Sequence, residues 1–190
     1  MLFRSQQLGW RKAMRTAGKA YRALDAHHKR IWNDYALELG ENQPGQNGAN
    51  AYIRLQSKRL QIDPTASPLA LPPHVASPVV DAHVQMHIAN SGELVARLEL
   101  CEKHAIIEVL TQRLASQHRR TYMARYRHHS FVKPNDVIDI SDLQDHWYTF
   151  ASRVVDPLTG ECGALTEQLL GQIKAGRGEL YPPSRQLRLS

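Results

Sequence analysis

The hydrophobic period of this chain switches from helical to strand spacing across a cluster of prolines, and that switch constrains the fold more than any other feature. Ahead of the cluster, Trp10, Met14, Ala17, Tyr21 and Leu24 recur at spacings of four, three, four and three, which marks one face of a helix. Beyond it, Leu94, Ala96, Leu98 and Leu100 alternate with Val95, Arg97 and Glu99, the pattern of a half-buried strand. Between the two stand Pro64, Pro68, Pro72 and Pro73; proline at that density denies helix and withdraws backbone donors. The expected fold class is α+β: a basic three-helix unit over residues 1–62, a proline-rich linker over 63–74, an antiparallel β-sandwich over 75–174 and an extended tail over 175–190.

Within the first part, Asp25 interrupts the first helix and is placed to cap a second through its carboxylate. Ile31, Trp32, Tyr35, Ala36 and Leu39 form the second apolar stripe, and Gly40 stops it. Residues 41–49 read as turn, with Pro44-Gly45 and Asn47-Gly48 as breakers. A third helix is predicted from Asn50 to Gln61, with Tyr52, Ile53, Leu55, Gln56 and Leu60 toward its buried side. In the second part, strands are predicted near residues 79–86, 94–100, 105–112, 121–131, 137–140, 147–155 and 164–170, divided by turn signals.

Charge follows the same division. Residues 1–62 hold 11 Lys/Arg against four acids, a net of +7, and the remainder holds 13 against 14, a net of −1. Such asymmetry favours an acidic partner: nucleic acid, an anionic surface or an acidic protein face. The candidate contacts are the cations off the apolar faces, Arg11, Lys12, Arg15, Lys19, Arg22, Lys29 and Arg30. Cys101 and Cys162 lack zinc or redox spacing and read as free thiols of a reducing compartment. Residues 1–10 carry too short an apolar run for a signal peptide, and no stretch approaches a membrane span of about 18 apolar residues.

No constellation for catalysis stands out. There is no nucleophile elbow, no glycine-rich phosphate loop and no zinc-hydrolase helix motif. His83 and His87 would lie about 14 Å apart along one strand, and the adjacent pairs His27-His28 and His128-His129 diverge on regular structure. Asp136, Asp139, Asp142 and Asp145 lack the glycine and terminal glutamate of a calcium loop and read as turn formers. The expectation is a non-enzymatic protein with no cofactor, no metal, no membrane and no small-molecule substrate.

The segment Tyr21-x-x-Leu24…Lys29-x-x-Trp32-x-x-Tyr35-Ala36 has the rhythm of the second helix of an HMG box. It is followed by Asn47-Gly48-Ala49-Asn50-Ala51-Tyr52-Ile53-Arg54-Leu55-Gln56, by the prolines, and by a final hairpin running Tyr148-Thr149-Phe150-Ala151-Ser152-Arg153-Val154-Val155-Asp156-Pro157-Leu158-Thr159-Gly160. In this order of parts the chain resembles small structural proteins encoded by phages and prophages, with an HMG-box-like helical head and a fibronectin type III-like sandwich. It departs from them at Asp145-His146, where a glycine usually precedes the penultimate strand. The resemblance implies a virion-associated capsid, decoration or tail component made in the host cytoplasm, with other virion proteins or copies of itself as partners. It supplies no catalytic residues. A DNA-binding or regulatory protein using the basic head is the alternative.

Overall fold

The computed structural model describes residues 2–38, 47–73, 84–88, 93–98, 105–173 and 180–181. The chain divides into two compact units. The first takes Met1–Pro78 together with Asp156–Cys162, and the second takes Val79–Val155 and Gly163–Ser190, so the backbone passes between units three times.

The first unit is built on helices α1 (Leu2–Ala23), α2 (Ala26–Glu38) and α3 (Gly48–Ile62). Asp25 caps α2 as expected: its Oδ1 accepts the His28 amide at 2.8 Å. The Asn47-Gly48 pair behaves otherwise than a turn. Asn47 is the N-cap of α3, its side chain accepting the Asn50 amide at 3.1 Å, and Gly48 is already helical. A Cβ on Gly48 would meet the Asn33 backbone nitrogen at 2.5 Å, so the glycine is there to let α3 start against the middle of α2. Gly40 and the rest of the predicted turn to residue 46 lie outside the described residues.

Trp32 and Tyr52 are fully buried and meet edge to face at 5.0 Å, with Tyr21 and Tyr35 flanking them. Burying each ring contributes about 2–3 kcal/mol, the largest single terms in a helical unit this small. Alanines line α1 and α3 around the rings: Ala13, Ala17 and Ala51 are buried. The buried face of α1 thus follows Ala13, Ala17, Ala20 and Leu24, turned about 50° from the face read in the sequence at ~100° per residue. Trp10 falls to its margin and stays 49% exposed. Small side chains win the contact because they allow the closest helix approach.

The proline-rich stretch 63–73 has no helix or strand and is held along the helices. Gln56, 1% exposed, accepts the Leu69 amide at 3.1 Å and donates to the Ser67 carbonyl. Arg59 donates to the same carbonyl at 2.7 Å, and the Trp32 indole donates to the Ala70 carbonyl at 3.2 Å. The prolines cannot bond to one another through their backbone, so side chains from α2 and α3 satisfy the carbonyls between them.

The second unit contains two antiparallel sheets, with strand orders β1-β2-β5 and β4-β3-β6-β7-β8. The strands are β1 (Val84–Ile88), β2 (Leu94–Leu98), β3 (Ile106–Leu114), β4 (Arg127–Val132), β5 (Val137–Ile138), β6 (His146–Val155), β7 (Thr166–Ile173) and β8 (Leu180–Tyr181). Val84, Met86, Leu94 and Ile138 from the first sheet share one core with Ile107, Val109, Tyr148, Phe150 and Ile173 from the second. Within the tail, Leu180 and Tyr181 pair with Ile173 and Gln172 as an added strand. One expectation is corrected. The strand predicted over 121–131 begins only at Arg127; Met123–Arg125 form a 3-10 turn instead. The Gln112 side chain takes the Tyr122 amide at 3.1 Å, and the Tyr126 hydroxyl, buried, pairs with the Thr149 hydroxyl at 3.0 Å. These anchors bend the segment out of the ladder despite its alternation.

The loop of the β6–β7 hairpin, 156–162, belongs to the first unit. Asp156 and Glu161 exchange backbone bonds with the turn, and Asp156 Oδ1 holds the Leu158 amide at 2.8 Å. Gly160 has φ +80° and sits on α3: a Cβ there would lie 2.2 Å from the Leu55 carbonyl oxygen.

Candidate nucleic-acid interface

α1 carries no acidic residue. Arg11, Lys12, Arg15, Lys19 and Arg22 are all exposed, and at about 100° per residue they fall within an arc of roughly 100°. The centre of that arc lies about 160° from the alanine face, so burying the alanines presents the cations together to solvent. Their span, from Arg11 to Arg22, is about 16 Å along the axis. The helix geometry, not the count of charges, makes this a continuous positive stripe.

The two remaining predicted contacts are placed differently. Arg30 is exposed on α2. Lys29 is half-buried and its Nζ donates to the Arg22 carbonyl at 2.9 Å, where a cation complements the C-terminal end of α1. Lys29 therefore serves the α1–α2 corner. Asp25, the nearest acid in sequence, is engaged with the His28 amide and ring; the backbone bond from His28, then its ring, holds the Asp25 carboxyl below the usual carboxylate range.

Sequence reasoning did not single out α3 for contact. A groove of about 360 Å³ runs between α1 and α3, with Trp10, Met14 and Ile53 as its apolar wall and Arg54 and Lys58 beside them. The signal was available in the +7 total, to which α3 contributes three cations and no acid. Trp10 was assigned to the core because its spacing fits the apolar stripe, and only packing shows otherwise.

In the second unit, the titratable groups that are buried are committed to structure. Glu108 is 1% exposed, with Arg153 Nε at 2.7 Å and His128 Nδ1 at 3.0 Å. A bulge between Val109 and Leu110 on the β3–β4 ladder leaves His129 outside the pairing, and its Nε2 lies 2.8 Å from the Asp139 carbonyl oxygen. The adjacent histidines therefore serve separate partners. Asp136 and Asp139 accept the amides of Lys133 and Ser141, which is turn formation. Among the described residues, no three His, Cys, Asp or Glu side chains gather as a metal site. No described helix is long and apolar enough to cross a membrane. Cys162 is partly buried, its Sγ 3.7 Å from the Gly160 carbonyl oxygen, while Cys101 and His83 lie outside the described residues.

No protein-family model matches this chain, and no curated protein does.

Proposed function

We propose that this is a non-enzymatic assembly protein whose helical unit lies against the phosphate backbone of a nucleic acid. The observation that carries the reading is the acid-free stripe of five exposed cations on α1. Held by a folded helix, they meet a polyanion without further ordering of the backbone, and releasing its counterions supplies the affinity. The resemblance to phage structural proteins suggests the setting, a virion or its precursor. There the β unit would dock on other virion proteins or on copies of the chain. The arrangement of three strands facing a larger antiparallel sheet around one core supports a fibronectin type III-like reading of that unit.

The test is fluorescence anisotropy of the full chain with a labelled duplex at two salt concentrations. If three to five cations each neutralise a phosphate, affinity falls about 40- to 500-fold between about 50 and 200 mM salt. Arg15→Glu with Lys19→Glu abolishes measurable binding while leaving helical content unchanged. Absence of binding at the lower salt, or indifference to the charge reversal, refutes the nucleic-acid reading. The virion setting is tested separately, by looking for the chain in purified particles.

A further inference from the structure

The β unit has its own positive cleft, of about 580 Å³, where β3 ends and the chain turns toward β4. Among the described residues, Arg113, His118, Arg119, Arg120, Tyr122 and Arg125 line it, and no carboxylate does. Among the described residues none of the four arginines takes part in an ion pair. The near-zero net charge of this half of the chain conceals the cluster.

Four guanidinium groups gathered around one concavity repel one another, and an anion seated there relieves that repulsion. The framework that gathers them is held at both ends. Buried Gln112 fixes the Tyr122 amide, and the buried Tyr126–Thr149 hydroxyl pair fixes the end of the 3-10 turn. Between these anchors the Arg125 guanidinium lies 4.9 Å from the Tyr122 ring centroid, a cation–π distance. Tyr122 nevertheless keeps 53% of its surface exposed. The cleft therefore offers planar cationic forks suited to phosphate oxygens beside an exposed aromatic surface suited to a base. Its volume falls in the range of small-ligand sites, about 300–1,000 Å³.

We propose that this cleft binds a nucleoside phosphate unit, its phosphate on the arginines and its base against Tyr122. The unit comes either from a single-stranded nucleic acid or from a free nucleotide. The site uses none of the α1 cations and stands whether or not α1 contacts a nucleic acid.

The experiment uses the full chain with Arg11, Lys12, Arg15, Lys19 and Arg22 all changed to Gln, so that α1 no longer contributes. Binding is measured at low salt to a labelled single-stranded 12-mer, to a labelled mononucleotide and, by competition, to inorganic phosphate. The proposal expects binding of the 12-mer, the mononucleotide or both; which of them binds identifies the source of the unit. Arg119→Ala with Arg120→Ala, both exposed and outside the anchors, lowers affinity at least tenfold with an unchanged circular dichroism spectrum. Tyr122→Phe keeps affinity, whereas Tyr122→Ala lowers it about 5- to 150-fold, the range of one base–aromatic stack. Failure of both nucleotide probes to bind overturns the proposal, as does binding unaffected by the double arginine variant. So does competition by inorganic phosphate as strong as by the nucleotide, since the base would then contribute nothing. A chain that binds duplex through α1 yet fails here loses only this site.

Discussion

Replacing Gly160 by Ala should release the 156–162 loop from α3, and the size of the effect follows from three local facts. The residue sits at φ +80°, where an L side chain costs about 1–2 kcal/mol. The new Cβ would lie 2.2 Å from the Leu55 carbonyl oxygen, 2.9 Å from its carbonyl carbon and 3.1 Å from its Cα. All three are backbone atoms inside α3, so the helix cannot yield and the loop must lift. Lifting sacrifices the 3.5 Å bond from the Tyr35 hydroxyl of α2 to the Glu161 carboxylate. At about 1 kcal/mol, the loss comes with the dihedral strain to about 2–3 kcal/mol. Because all described α-helices lie in the first unit, a urea titration followed by helical circular dichroism reads its stability directly. In a Cys101→Ser background, alkylation of Cys162, which shares the loop, should accelerate. Gly9→Ala is the control: nothing lies within 4 Å of its added Cβ, and removing a helical glycine should stabilise by about 0.5–1 kcal/mol. If Gly160→Ala unfolds within about 0.5 kcal/mol of the parent and Cys162 reacts no faster, the loop is not seated on α3 and the reasoning fails.

Other perturbations test other joints. Glu108→Ala leaves Arg153 and His128 without their buried carboxylate and should destabilise the β unit by about 3–5 kcal/mol; near-normal denaturant resistance would count against that buried pair. Gln56→Ala removes the group that accepts the Leu69 amide and should cost about 1–3 kcal/mol, with new protease cuts between residues 63 and 73. Trp32→Ala empties the centre of the helical core and should cost about 3–5 kcal/mol, read as the loss of cooperative helix melting. Hydrogen bonds from Ser141 hold the Asp139 carboxyl, and bonds from Thr65 the Asp63 carboxyl, below the usual carboxylate range. A folded pKa below the unfolded one gives stability that is complete above the unfolded value and lost as pH falls through the folded one. Tm should therefore drop on acidification below about pH 4, and Asp63→Asn with Asp139→Asn should flatten that drop.

Much of the architecture was legible because periodicity reports which side of an element is buried. The cap at Asp25, the third helix, the final hairpin through Asp156–Gly160 and the strands around 94–98, 106–114 and 146–155 all follow from local patterns. The failures have a common cause. Trp10 satisfies the apolar spacing of α1 but is displaced by alanines that pack closer. Residues 121–126 alternate like a strand, but Tyr122 is captured by Gln112 and Tyr126 by Thr149, partners 10 and 23 residues away in sequence. The arginine cleft was missed because charge was summed over half the chain, whereas a binding site feels the few groups that share a concavity.

Sequence alone determined the sequence of parts, helices, then prolines, then strands, and the concentration of positive charge in the helical part, since composition and period are properties of the linear chain. Only tertiary structure decided what those parts join. The prolines lie against α2 and α3 because Gln56, Arg59 and Trp32 supply the donors and acceptor their backbone needs. A hairpin loop from the strand half belongs to the helical unit because Gly160 can take a left-handed conformation directly against the Leu55 carbonyl. Contacts of this kind depend on which distant atoms arrive within a few ångströms, and no local pattern encodes that.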